Sequence, residues 1–235
     1  MKHSYQYASH ILAFGPHPDD VEVGCGGVLR QSAQKGHKNI IIDLSPSQFS
    51  THGDPETRQR EAVCAAEHLQ VHHRENLWRV DAHFADTPDL RAILATHIRK
   101  RKPEIVLIPW TKDRHPDHEV TAQLVKNAVF YAGLQKMDLS WLPPHKPRLL
   151  VHYMIRSEFE PDLILQLSDE AFEAKMKAFS CYDSQQQTNG WWMEYIQARH
   201  IFYGNRIGCR YGEGFKLYSH AVGVTGFDCV VSGFF

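Results

Sequence analysis

Two short strings of residues carry groups able to do chemistry: His17-Pro18-Asp19-Asp20 and, about 100 residues later, Asp113-Arg114-His115-Pro116-Asp117-His118. Neutral imidazoles and a carboxylate are ligand types that suit Zn²⁺, and a site with three protein ligands keeps a fourth position for water. Only two of the three histidines and some of the aspartates can be ligands at once, so the others are free for proton transfer. Pro18 and Pro116 each bias the preceding histidine toward extended backbone, which lifts its ring clear of a following helix. A plainer reading makes Asp19, Asp20 and Asp117 helix N-caps with histidines as mere neighbours. That reading suits either string alone; it suits both together poorly if they occupy matched places in the fold.

The elements that would position these strings alternate between strand and helix. Ile11–Gly15 is a short apolar run that reads as a buried strand. Helical periodicity follows over residues 27–35 and stops at Gly36. Residues 39–44 form a second strand, 45–55 a polar loop and 56–69 an Ala- and Glu-rich helix. A weaker strand spans 75–80, and Pro88–Arg101 is a helix with proline at its start. Ile105–Pro109 is another strongly apolar strand, followed by a helix over 119–132. Four strand–helix repeats predict an α/β fold with a Rossmann-like, doubly wound, mainly parallel sheet. Both strings then lie just past the carboxyl ends of strands, the first and the fourth. With the strand order 3-2-1-4 these are neighbours at the topological switch point, where open α/β sheets bind ligands.

The remainder changes character. Residues 141–147 read as a rigid connector, 149–154 and Leu163–Leu167 as strands, and Asp169–Ser180 and 192–203 as helices. The stretch 211–235 fits a hairpin, a subunit contact or a tail. The expected organisation is one domain over 1–235, with a core over 1–135 and a C-terminal part, 136–235, over the active-site edge.

Composition bounds the function. Apolar residues make up 43% of the 235-residue chain and charged residues 23%, enough for a sizeable core and too apolar for a disordered chain. Lys and Arg number 26 against 27 Asp and Glu, so no global field draws the chain to nucleic acid or an anionic membrane. No apolar run approaches the roughly 18 residues of a membrane span, and residues 1–14 lack a signal-peptide core, which predicts a soluble, cytoplasmic protein. The five cysteines are scattered, odd in number and without a CxxC pair, which argues against a disulfide framework and a Cys-rich zinc site. Sixteen histidines are many, but most, His68 among them, sit in polar surroundings and read as solvated rings. Cys25, among Gly24, Gly26 and Gly27, reads as a small side chain for close helix–sheet packing rather than a nucleophile. Leu29 stands where G-x-G-x-x-G needs its last glycine, so nucleotide binding lacks support. Trp191-Trp192 follow a polar loop over 184–190 that would suit a lid hinge, with core packing the simpler account.

Arg58 opens the helix after the second strand, so it too faces the carboxyl edge of the sheet. Its guanidinium would grip a substrate hydroxyl or carboxylate, or else form a surface ion pair with Glu56 or Glu61. Arg114 either contacts substrate or braces its motif from outside. His152 reads as a packed ring.

The strings A-F-G-x-H-P-D-D-V-E, E-T-R-Q-R-E-A, D-R-H-P-D-H and R-Y-G-E-G-F, spread between Ile11 and Phe215, resemble the LmbE/PIG-L family of zinc-dependent N-deacetylases. More narrowly they look like its bacillithiol-biosynthesis branch, with Pro16 as a departure from the branch's usual alanine. The resemblance implies that His17, Asp20 and His118 bind Zn²⁺ (Fe²⁺ and Co²⁺ being alternatives at a His₂Asp site) and that Asp19 is the general base. It implies that His115, oriented by Asp117, stabilises the oxyanion or acts as the acid, and that Arg58 and Arg114 bind substrate. A C-terminal tyrosine, Tyr195 or Tyr203, would reach the oxyanion. It further implies hydrolytic release of acetate from an N-acetylglucosaminyl compound such as N-acetylglucosaminyl-malate, by a homo-oligomer, often a hexamer. The rival readings are an amidohydrolase acting on another acylated sugar or small amide, and a non-catalytic carbohydrate- or metal-binding module.

Overall fold

The computed structural model describes residues 9–186 and 191–218. In chain order its elements are β1 (Ile11–Gly15), α1 (Asp20–Gln34), β2 (Asn39–Asp43), α2 (Pro55–Leu69), β3 (His73–Asn76), α3 (Pro88–Arg101), β4 (Ile105–Pro109) and α4 (Pro116–Gly133). There follow β5 (Leu149–Tyr153), β6 (Leu163–Leu167), α5 (Asp169–Ser180), α6 (Asp183–Gln186), α7 (Trp191–Arg206) and β7 (Tyr211–Leu217). They build a seven-stranded sheet in the order β3-β2-β1-β4-β5-β7-β6. The first five strands of that order are parallel; β7 runs antiparallel to both its neighbours. This is the single-domain, doubly wound α/β fold expected from the alternation of elements, and β1 does lie beside β4, Ile11 opposite Ile105.

Period-two alternation divides the core. Ile11 and Ala13 face one layer with Val21, Leu29 and Ala62; Leu12 and Phe14 face the other with Leu94, Ile98 and Leu124. Helices cover both faces, which is why these strands are unbroken apolar runs. Among the described residues no helix is long and apolar enough to cross a membrane.

The element ends differ from expectation in instructive places. Helix α1 begins at Asp20, seven residues before Gly27. A glycine-rich segment scores poorly for helix, yet here the glycines answer to packing. A Cβ on Gly24 would stand 2.0 Å from the Tyr153 ring, and one on Gly27 2.5 Å from Leu167. Cys25 between them is fully buried, and burial together with the Glu213 charge pushes its thiol pKa well up, away from nucleophilic use. Helix α4 starts at Pro116 rather than at 119, with proline in its first turn and His115 as the cap: Nδ1 of His115 accepts the Asp117 backbone N–H at 3.3 Å. Strand β3 stops at Asn76, whose Oδ1 accepts the Trp78 N–H at 2.7 Å and turns the chain away. Of the stretch 211–235, the first seven residues are strand β7; 219–235, and 187–190 of the expected hinge loop, lie outside the described residues.

Helix α1 is kinked at Cys25 (φ −147°, ψ 17°), and side chains from the C-terminal half satisfy the groups the kink frees. The Gly27 and Val28 N–H groups donate to the Glu213 carboxylate at 2.9 and 2.8 Å. The Val23 carbonyl, the regular helical partner of Gly27 N–H, accepts instead from Lys175 Nζ at 2.9 Å and Arg199 Nη2 at 2.8 Å. Lys175 also donates to Glu213 at 2.6 Å and to His200 Nε2 at 2.8 Å, while His200 Nδ1 donates to the Ile196 carbonyl. His200 is therefore held neutral: burial first, then the Lys175 charge, lower its pKa to about 4. Because the unfolded chain binds this proton near pH 6.5 and the folded chain only near 4, stability falls as pH drops through that window. We expect the wild type to lose on the order of 3 kcal/mol there relative to His200→Gln, as read by denaturant midpoints of both proteins at about pH 7 and below about pH 4. An unchanged gap between the two would remove His200 from the acid response.

The cysteines correct the reading of their spacing. Cys64 in α2 and Cys181, the residue that ends α5, form a disulfide with Cα atoms 6.0 Å apart. Cys25 and Cys209 are free thiols.

Candidate active site

The loops after β1, β2, β3 and β4 surround a cavity of about 310 Å³ at the carboxyl edge of the sheet. The first loop carries the strongest local constraint. Asp19, the residue before α1, has φ 113° and makes no capping bond with its side chain, so the N-cap reading fails for it. A non-glycine residue in that region stores backbone strain, a recurrent feature of functional turns. Arg58 holds the turn in place: its buried guanidinium donates to the Pro18 carbonyl and pairs with the Asp19 carboxylate at 3.2 Å. Burial, reinforced by Asp20 and opposed by Arg58, raises the Asp19 pKa to about 6. Arg58 is neither a surface residue nor paired with Glu56. It lies over the Tyr182 ring, 5.2 Å from the centroid, and lines the cavity together with Asp19.

His17, Asp20 and His118 meet as the two strings were expected to meet. Their donor atoms lie within 4.8 Å of one another, and all three residues are buried. Asp20 Oδ2 accepts from the His17 backbone N–H at 3.0 Å and stands 3.1 Å from its Nδ1; Oδ1 is 3.4 Å from His118 Nε2. On its far side His118 turns Nδ1 to the Asp113 carboxylate at 3.2 Å. Asp113 is itself fixed by the backbone N–H groups of His115, Arg156 and Ser157, and its pKa drops to about 2 although burial opposes this, chiefly through His118. His17 Nε2 faces Asp81 at 2.8 Å and Asp117 at 3.2 Å.

This donor set fits a divalent cation. Three carboxylates converge on the one buried imidazole of His17, and burial alone would lower its pKa, yet bonds to Asp117, Asp20 and Asp81 raise it well above normal. Such a site calls for positive charge, supplied either by a proton on the ring or by a cation that takes the ring as a neutral ligand. A second set, His17, His115 and Asp117, meets the same distance test. It is the poorer candidate: His115 Nδ1 is occupied by the Asp117 N–H, and the Asp117 carboxylate accepts the Ala82 N–H at 2.9 Å.

One expectation for the second string changes here. The Asp117 carboxylate does not orient His115; it serves His17 and the Ala82 N–H, and the Asp117 backbone does the orienting. An N–H donated to Nδ1 places the ring proton of His115 on Nε2. Burial, then the neighbouring His118 and His17, lower the His115 pKa, which favours the neutral ring. It stacks on His118 with centroids 4.6 Å apart and lines the cavity.

Arg114 is exposed and does not line the cavity; Arg156, 4.9 Å over the Trp192 ring, does. Neither tyrosine reaches it: Tyr195 donates to Glu158 at 2.8 Å, and the Tyr203 hydroxyl lies 3.4 Å from Met154 Sδ. The C-terminal half instead supplies Trp192, Gln185 and Phe179. His152 is a buried ring bonded to the Pro109 carbonyl at 2.7 Å. Asp81 and Arg156 carry no signal that singles them out in the sequence, save that Asp81 directly follows the segment 75–80 expected as a third parallel strand; Asp113 heads the second string, but its residue type alone gives it no role.

Comparison with known proteins points the same way. The family model described as PIG-L, GlcNAc-PI de-N-acetylase, matches residues 12–129, half of the chain. Diacetylchitobiose deacetylase of Thermococcus kodakarensis is 29% identical over 223 residues, covering 88% of this chain and 82% of the relative. The crystal structure of the conserved protein TT1542 from Thermus thermophilus superposes with a TM-score of 0.86 at 32% identity, covering 93% of this chain and 98% of that one. The same fold also appears in GalB, the 4-carboxy-2-hydroxymuconate hydratase of Pseudomonas putida (TM-score 0.79, 20% identity, 93% of this chain and 99% of that one), so the architecture alone does not choose a reaction. With half of the chain matched and both His/Asp strings meeting in one cavity, the chain belongs to the PIG-L/LmbE deacetylase family.

Proposed function

We propose that this protein is a metal-dependent N-deacetylase that hydrolyses the acetamide of an N-acetylglucosaminyl compound to acetate and a free amine. The observation carrying this reading is the placement of Asp19 beside, but outside, the His17/Asp20/His118 group in one cavity. Those three residues would hold the metal, Zn²⁺, Fe²⁺ or Co²⁺ being suited to two imidazoles and a carboxylate. When bound, such an ion supplies a Lewis acid and brings the pKa of a water toward neutrality.

The chain's own groups supply the rest. Asp19, with a carboxylate pKa near that of a working base, takes a proton from the attacking water and returns it to the departing amine nitrogen. Arg58 keeps that carboxylate turned into the cavity. His115 offers Nε2–H to the carbonyl oxygen as charge grows there. Asp113 backs His118, and Asp113→Ala is expected to weaken metal binding about 10- to 100-fold, the usual loss for such a supporting carboxylate, as measured by competition with a chelating dye.

For substrate, the branch resemblance nominates N-acetylglucosaminyl-malate; Arg156 at the cavity wall suits an anionic aglycone. Likeness to the Thermococcus enzyme nominates diacetylchitobiose. Acetate release from both, from N-acetylglucosamine and from a simple acetamide would rank them. If the metal-loaded protein cleaves none while still binding sugar, the deacetylase reading gives way to a binding module. The homo-oligomer implied by the resemblance has candidate contacts in exposed Trp141 and Phe130.

A further inference from the structure

Outside the catalytic cavity, a second group of metal-ligating atoms comes together: Cys64, His68 and Cys181, each offering an atom within 4.8 Å of the others. Cys64 and His68 are one turn apart on α2 and so share a face of that helix; Cys181 arrives from the end of α5, which packs on α2. Cys64 and Cys181 are half-buried and His68 is exposed, so an ion can enter from solvent. The group shares no residue with the His17 cluster, and the catalytic reading uses none of its members. Its donors are also of another kind: two sulfurs and one nitrogen, against the oxygen-rich surroundings of His17. Two thiolates and an imidazole with one open position form a three-ligand set for Zn²⁺ or a similar thiophilic divalent ion.

We propose that Cys64, Cys181 and His68 are a second metal site, open only when the Cys64–Cys181 disulfide is reduced. The 6.0 Å between the two Cα atoms lets the sulfurs bond to each other, and the same convergence lets both reach one ion once they are thiolates. A dithiol reductant gives two electrons and two protons to the sulfur–sulfur bond and becomes a disulfide itself. Zn²⁺ then displaces the two thiol protons to solvent. Oxidation and metal binding thus compete for the same pair of sulfurs, and the state of the pair decides whether α2 and α5 are joined covalently or through an ion.

Cobalt and cadmium distinguish this site from the catalytic one, because only thiolate ligands give a near-ultraviolet charge-transfer band. The whole protein, stripped of metal, should bind two Co²⁺ per chain after phosphine reduction, one with that band, and only one without it when oxidised. Cys64→Ser combined with Cys181→Ser should abolish the band and the second equivalent while acetate release stays at wild-type level. His68→Ala should keep the band but weaken Cd²⁺ binding at least about tenfold in dye competition. Absence of the band in reduced wild-type protein, or its presence in fully oxidised protein, overturns the proposal. Undiminished Cd²⁺ affinity in His68→Ala overturns the three-ligand site. Failure of deacetylation would bear on the catalytic reading alone, since these readouts need no turnover; and if the double variant misfolds, the oxidised and reduced wild type still decide the matter.

Discussion

Asp19→Asn is expected to bind metal with wild-type stoichiometry and to release acetate on the order of 10³-fold more slowly, within the range that a positioned general base contributes. Asparagine preserves the size of the side chain and tolerates the positive φ of 113° at this turn, so the start of α1 and the approach of His17 and Asp20 should survive. What it cannot do is accept the water's proton. Metal content by elemental analysis, set beside turnover on the best acetylated sugar, separates the two effects. Full activity in this variant would remove Asp19 from the chemistry, whereas loss of metal would mean that its carboxylate belongs among the ligands.

The second large effect is expected from the metal itself. Dialysis against a strong chelator should lower acetate release by at least about 10³-fold, since both the Lewis acid and the activated water go with the ion. Added Zn²⁺, Fe²⁺ or Co²⁺ should restore it, and their order of efficiency would identify the working ion. His118→Ala should show the same loss without stoichiometric rescue, because it removes one of two imidazoles and leaves Asp113 facing a void. His115→Ala, by contrast, should keep its metal and lose rate. A chelated protein that still turns over at the wild-type rate would overturn the metal-dependent reading, whatever the variants do.

Much of the site was legible because it sits where strands end. Unbroken apolar runs marked Ile11–Gly15 and Ile105–Pro109 to the residue, and a His-Pro-Asp string shortly after each placed both on the same edge of a parallel sheet. The glycine-rich start of α1 was not legible, because helix propensity sees the missing side chains and not the Tyr153 ring and Leu167 that occupy their space. Asp81 was missed because a lone aspartate in a loop carries no pattern. For Arg114 the residues left substrate contact and bracing both open, and the resemblance alone assigned it to substrate; adjacency in sequence does not turn a side chain toward a cavity.

What the chain's order of residues determined by itself is local and periodic: which runs are buried strands, where proline opens a helix, and which two strings could bind a metal. Those features depend on steric preference and on alternation along a few residues. Tertiary structure alone decided the partners drawn from far away: Asp81 facing His17, Glu213 and Lys175 at the break in α1, Arg58 against Asp19, and Cys181 beside Cys64 and His68. Each pairing answers a buried charge, a freed backbone group or a convergence of side chains that exists only after the helices have packed on the sheet. Such requirements arise from burial and the low dielectric it brings, and leave no mark on neighbours in sequence.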